Sequence, residues 1–391
     1  MLTTLVALLA GCSSNDDSTK GTASTTTAPK GSTTTTAAPE TDPLVTWSER
    51  GPHGVGNVQL DLGGRRTMVW YPAVEGAGTE GKLEMFDIAS LLSPELQAQI
   101  PDAARVQYQI ASGPDAEPDR KDGPYPVVLF SHGFAGFPEQ SADLTTHLAS
   151  WGYVVVATDH VERSLSGLLG TGAQGVAKQS DPEVLAAALD LVTTEDARDG
   201  SPLKGLVDLD RVAVTGHSAG AGATYRFAST DPRIDAAIMY SVGSGPEGGT
   251  LPAAPKVPAM VMLGTTDGII PPEASRTLFA GLNKPRYLVE ITDAGHLVFS
   301  DLCLIGAESG GLIGIAEKIK LPIPDSLKKL GTDGCEAPHP SVKEAFPAID
   351  GLSVAFLRRY LNDDQTAEKA LTSGPVTGLD GKAEVTLLSE P

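Results

Sequence analysis

Residues 212–225 read V-A-V-T-G-H-S-A-G-A-G-A-T-Y, and no other stretch of the 391-residue chain restricts its fold so tightly. The apolar run Val212-Ala213-Val214 breaks at Gly216. Ser218 follows, with Gly216 two residues before it and Gly220 two after, and small residues then fill 219–224. G-x-S-x-G carries meaning in this strand–turn–helix setting, where the serine stands on a sharp, strained turn. Flanking glycines remove the Cβ atoms that would collide there. A helix opening behind the serine aims backbone N–H groups at any negative charge that develops beside it. Chance occurrence and a plain N-cap serine are the simpler readings. The pattern occurs once, directly after a strand-like run, which favours Ser218 as a nucleophile.

The segments around it predict the sheet that such a turn needs. Residues 57–62 and 66–71 read as a hairpin joined by Gly63-Gly64. Residues 73–125 are irregular, with one helix candidate at 93–100 and several Gly and Pro breaks, and are a candidate cover for part of a substrate site. From Pro126 the pattern becomes regular. Apolar runs at 126–131, 153–158, 212–215, 236–240, 259–263 and 287–291 read as buried strands, and helices fit 142–150, 181–193, 273–281 and 342–360. This alternation predicts an α/β fold with a mostly parallel central sheet and helices on both faces. After residue 361 the pattern weakens, with a late strand candidate at 383–388.

A serine nucleophile needs a base, an orienter for that base and donors for the oxyanion. His132-Gly133-Phe134 ends the strand at 126–131, where open α/β sheets place ligands. The N–H groups of Phe134 and Ala219 are therefore the expected oxyanion donors, and His132 is read as structural. Among seven histidines His296 is the best base, since it follows the strand at 287–291 and Gly295 leaves room for the turn. His217 sits inside the turn, unsuited to reach its neighbour's hydroxyl. Asp267 follows the strand at 259–263 and gives the chain order Ser218, Asp267, His296. Asp293 and Glu247 compete for the orienting role.

These motifs resemble the α/β-hydrolases, in the branch of platelet-activating-factor acetylhydrolase-like and dienelactone-hydrolase-like proteins that also includes polyester-degrading cutinase relatives. The resemblance rests on F-S-H-G-F-A-G-F (130–137), G-H-S-A-G (216–220), G-T-T-D (264–267) and G-H (295–296), and covers roughly residues 57–360. It implies a serine carboxylic ester hydrolase with Ser218, Asp267 and His296 as triad and Phe134 and Ala219 as oxyanion donors. It implies no cofactor. Ala221 stands where the branch commonly has a second glycine. Acyl transfer by the same machinery and a non-catalytic surface-binding lipoprotein are the competing readings.

The remaining features concern location. Residues 1–12 read M-L-T-T-L-V-A-L-L-A-G-C; L-A-G-C resembles a bacterial lipobox, with Cys12 as the lipidated residue. Residues 13–46 are rich in Thr, Ser, Ala and Pro and are expected to be a disordered spacer. The hydrolase domain is expected over 47–362 and a C-terminal extension over 363–391. The chain is thus expected to be exported, tethered to the membrane through its lipid alone, and monomeric. A net charge of −20 and a pI near 4.7 argue against nucleic acid as a partner. With Cys12 assigned to the lipobox, Cys303 and Cys335 form an even pair in an exported context and are expected to be disulfide-linked, two free thiols being the alternative. No metal site is expected: His339 lies near Cys335 without further ligand spacing.

Overall fold

A computed structural model describes residues 42–102, 105–243 and 251–391. Thirteen strands are found there: β1 (Gly54–Leu62), β2 (Arg65–Ala73), β3 (Glu84–Asp87), β4 (Gln107–Ile110), β5 (Gly113–Pro114), β6 (Tyr125–Ser131), β7 (Val154–Thr158), β8 (Val207–His217), β9 (Ala236–Tyr240), β10 (Ala259–Gly264), β11 (Arg286–Ile291), β12 (Gly374–Val376) and β13 (Val385–Glu390). Eleven of them form one sheet in the order β12-β13-β11-β10-β9-β8-β6-β7-β2-β1-β5; β3 and β4 pair separately. The centre, from β7 through β11, is parallel, and the β1–β2 hairpin joins it antiparallel through β2 and β7.

Side-chain alternation along the buried strands feeds two cores. In β6, Val128 and Phe130 face one side, with Leu144 and Leu148 of α3 (Ala142–Ser150) and Leu352 and Phe356 of α10 (Val342–Leu361). Val127 and Leu129 face the other, with Leu185 and Leu189 of α5 (Asp181–Ala197) and Phe227 of α6 (Ala219–Thr230). Further along that second face, α7 (Pro272–Gly281) packs Leu278 and Phe279 against β9 and β10. The expected fold class is thus observed. The parallel strands end their C-termini at one edge, which is where Ser218, Asp267 and His296 follow β8, β10 and β11.

One expected boundary differs. The spacer was expected to run to residue 46, yet α1 (Pro43–Trp47) is a folded turn of helix. Asp42 caps it by accepting from Leu44 N–H, Pro43 opens it, and Leu44 and Trp47, three residues apart, bury one face beside α10. In the C-terminal extension, α11 (Ala367–Ala370) is followed by β13, which lies at the late strand candidate, pairs antiparallel with β11 and extends the sheet. The helix candidate at 93–100 shortens to α2 (Pro94–Gln97). Cys12 and most of the expected spacer lie outside the described residues.

Cys303 and Cys335 are bonded, with a sequence separation of 32. In the loop-entropy treatment a clip of that length contributes about 3–4 kcal/mol. It closes a segment that carries two short amphipathic helices, α8 (Gly311–Lys318) and α9 (Asp325–Leu330). On the opposite side of the site, α4 (Leu165–Leu169) follows β7. No helix among the described residues is long and apolar enough to cross a membrane.

Candidate active site

Ser218 sits between β8 and α6 at φ 59°, ψ −119°, a conformation that costs about 1–3 kcal/mol for a non-glycine residue. The turn is held by close packing. A Cβ on Gly220 would lie 1.9 Å from the Ser131 carbonyl oxygen, and one on Gly216 would lie 2.5 Å from that of Gly220. Both positions are therefore restricted to glycine by backbone contact. The Ser218 N–H donates to Tyr240 O of β9, fixing the turn to the sheet.

The three residues expected to act together do meet. Ser218 Oγ is 2.9 Å from His296 Nε2, and His296 Nδ1 is 2.8 Å from Asp267 Oδ2. All three are buried. The second Asp267 oxygen accepts from the N–H groups of Ile269 and Ile270, each at 2.8 Å. Burial works to raise the Asp267 carboxyl, but the bond and charge of His296 and these two N–H groups outweigh it and hold it below its ordinary value. An ionised Asp267 places the imidazole proton on Nδ1 and leaves Nε2 as acceptor toward the serine hydroxyl. Of the competitors, Asp293 is exposed in a turn at φ 55°, and Glu247 lies outside the described residues.

A second network fixes the loop that bears Phe134. Gly133 N–H donates to Gln140 Oε1 (2.9 Å), Gln140 Nε2 donates to His217 Nδ1 (2.9 Å), and His217 Nε2 donates to the His296 carbonyl (2.9 Å). Desolvation lowers His217 to about 3, so it stays neutral and holds this one tautomer. His217 thus braces His296 from behind and makes no bond to Ser218. His132 is buried and tied to the backbone: its Nε2 accepts from His160 N–H and its Nδ1 donates to Gly133 O. Arg163, fully inside the fold, donates to the carbonyls of His132 and Gly133 and to Ser131 Oγ. Among the described residues, the N–H groups of Phe134 and Ala219 meet no protein acceptor.

Three of these supports escaped sequence reasoning: Gln140, Arg163 and Asp333. Asp333 Oδ2 accepts both His296 N–H (2.7 Å) and Gly268 N–H (3.0 Å), which ties the disulfide-closed segment to the turns carrying His296 and Asp267. It stands in an ordinary polar turn, T-D-G-C, and carries no local signal.

Ser218 and His296 form the floor of a cleft of about 400 Å³. Its walls are largely aliphatic, and most of them come from residues between 88 and 106, from α4, and from the segment from Leu312 to Gly331. Part of the irregular 73–125 stretch therefore lines the site. The three His/Asp groups whose ligand atoms come within 4.8 Å of one another, His53, Asp119 and Asp122, do not line this cleft, and His53 Nδ1 is engaged by Asp119 at 3.0 Å. His339 instead meets the Asp293 carbonyl through Nδ1, and Cys335 is spent in the disulfide.

Comparison with known proteins places these features in context. A family model described as PET hydrolase-like matches residues 117–303. A protein of Escherichia coli K12 named as a carboxymethylenebutenolidase is 30% identical over 209 residues, 48% of this chain and 72% of that protein. Cutinase est1 of Thermobifida alba is 27% identical over 260 residues, 66% and 69% of the two chains. Cutinase 2 of Thermobifida cellulosilytica is 26% identical over 265 residues, 68% and 79%.

Proposed function

Because the chain belongs to the α/β-hydrolase branch of carboxymethylenebutenolidase-like proteins and is similar to PET hydrolase-like and cutinase proteins, we propose that it cleaves carboxylic esters through Ser218, His296 and Asp267. The observation that carries this reading is the unbroken hydrogen-bond line from Asp267 through His296 to Ser218 at the floor of an apolar cleft. Ser218 Oγ attacks the ester carbonyl as His296 Nε2 takes its proton. The carbonyl oxygen, now negative, lies against the N–H groups of Phe134 and Ala219, each worth about 3–4 kcal/mol to the transition state. Collapse returns the proton from His296 to the leaving alkoxide and leaves Ser218 acylated; water, deprotonated by His296, then releases the acid. Asp267 stays ionised throughout and orients the imidazolium.

The protein works outside the cell as a monomer, held by lipid on Cys12 through the polar spacer that follows; the L-A-G-C motif supports this reading. The test of the chemistry is a burst of p-nitrophenol equal to the enzyme present, lost in Ser218→Ala; a full burst from that variant refutes it. Detergent partitioning of wild type but not of Cys12→Ala tests the tether, and equal partitioning refutes it.

A further inference from the structure

The family model matches residues 117–303 and so ends at the first half of the disulfide. Most of the cleft lining above Ser218 lies outside that region: Ile88, Leu92 and Ile100 from one segment, Ile315, Ile319 and Leu321 from another. The second group belongs to the disulfide-closed segment, whose base is anchored on the His296 turn by Asp333. In α8 the sequence G-L-I-G-I-A-E-K turns Ile315 inward and leaves Glu317 and Lys318 exposed. Proline at 322 and 324 then separates α8 from α9.

The chemistry of this wall is narrow. Above the floor it consists chiefly of Leu, Ile, Val, Ala and Pro side chains; Phe134 is its one Phe, Tyr or Trp among the described residues, and the tryptophans at 47, 70 and 151 stand elsewhere. Beyond the imidazoles of His217 and His296, a flat aromatic ligand would find no stacking partner along these walls. Arg105 is the one acid or basic side chain of the described lining besides the histidines, and its guanidinium is bonded to Asp87 at 2.7 Å. A carboxylate on the substrate therefore meets no uncommitted cation. What fits is a flexible apolar chain.

We infer that this cleft is an acyl-chain site, walled in part by the disulfide-closed segment, that selects esters of linear, uncharged aliphatic acids of medium to long chain. The inference rests on the ester-hydrolase reading and names the substrate class of that same site. Each methylene buried against such a wall raises kcat/KM by up to about fourfold. The chain is held by its acid portion, so length in the alcohol portion gains nothing comparable.

Two substrate series test this on the wild-type protein, below the solubility limit of each ester: p-nitrophenyl acylates from acetate to laurate, and alkyl acetates from ethyl to decyl. The expected result is a rise in kcat/KM of at least a hundredfold from acetate to octanoate, a flat alcohol series, and benzoate slower than hexanoate. Inactivation by p-nitrophenyl alkylphosphonates, in which Ser218 Oγ bonds to phosphorus as nitrophenolate leaves and His296 takes the hydroxyl proton, should accelerate with alkyl length in the same order. Ile319→Trp and Leu321→Asp should each lower the octanoate-to-acetate ratio at least tenfold. A flat acyl series beside undiminished acetate turnover overturns the inference and leaves the esterase reading standing. So does a rise confined to the alcohol series, or a uniform loss on all esters in both variants. Absence of turnover and of phosphonate labelling together would instead bring down the esterase reading itself.

Discussion

Replacing Asp267 by asparagine isolates one proton in the proposed machinery. In the native site the carboxylate accepts three hydrogen bonds, one from His296 and two from the N–H groups of Ile269 and Ile270. An amide keeps its oxygen on the two backbone donors, because nothing else nearby can serve them. Its NH2 group then faces His296 Nδ1 at about the former distance. Two donors cannot face each other, so the imidazole proton moves to Nε2, the nitrogen that points at Ser218 Oγ from 2.9 Å. No lone pair remains there to receive the serine proton. The expected loss is about 10⁴ in kcat, equivalent to about 5.5 kcal/mol of barrier, with KM little changed. Stability should hold within about 1 kcal/mol, since the backbone bonds persist, whereas Asp267→Ala strips both and should cost about 1–3 kcal/mol. Steady-state kinetics on p-nitrophenyl butyrate and thermal unfolding by circular dichroism read both quantities. A kcat within tenfold of wild type, or a larger loss in the exposed Asp293→Asn, refutes the assignment.

Two further expectations concern the frame. Gly220→Ala drives a Cβ into the Ser131 carbonyl of β6 and should cost at least about 3 kcal/mol, whereas Gly222→Ala meets only the flexible end of Arg226 at 3.2 Å and should be neutral or stabilising; equal melting temperatures would contradict the packing argument. Asp301 is buried, with Asp143 close by, and burial first and that neighbour second raise it to about 7. Between the ordinary carboxylate range and about 7 the unfolded chain has lost this proton while the native one retains it, so stability falls as pH rises through that window. Asp301→Asn removes the titration, and its melting temperature should decline less than wild type from pH 5 to 8; parallel profiles would reject the account.

How legible the protein is in its sequence depends on how locally each feature is specified. The strands at 126–131, 236–240 and 259–263 announce themselves because a parallel strand covered on both faces must be continuously apolar. Ser218, Asp267 and His296 were readable because each follows such a strand, so chain order alone brings them to one edge. Asp333 reaches His296 across 37 residues through a turn held by a disulfide, and nothing nearby in sequence records that contact. The helices α8 and α9 are eight and six residues long and owe their place to the cleft rather than to propensity. β3 and β4, at four residues each, pair across a long irregular stretch, too far apart in sequence to read as a hairpin. Leu44 was lost in the polar spacer because the pair Leu44-Val45 is too short an apolar run to stand out against it.

The rims of the sheet have a bearing on crowding. An open sheet ends in rows of backbone N–H and C=O groups to which a strand from another molecule can add. Here the outermost strands are Gly113–Pro114 and Gly374–Val376, two and three residues long. Each holds a proline, Pro114 and Pro375, which has no N–H to offer. On β1, the stretch beyond the short reach of β5 carries Gln59 and the charged Asp61. A neighbouring copy that approached either rim would gain only a few hydrogen bonds before meeting an interruption. The sheet is eleven strands wide and yet gives growth by strand addition almost nowhere to start, so densely packed molecules can lie side by side without zipping into a shared β-structure.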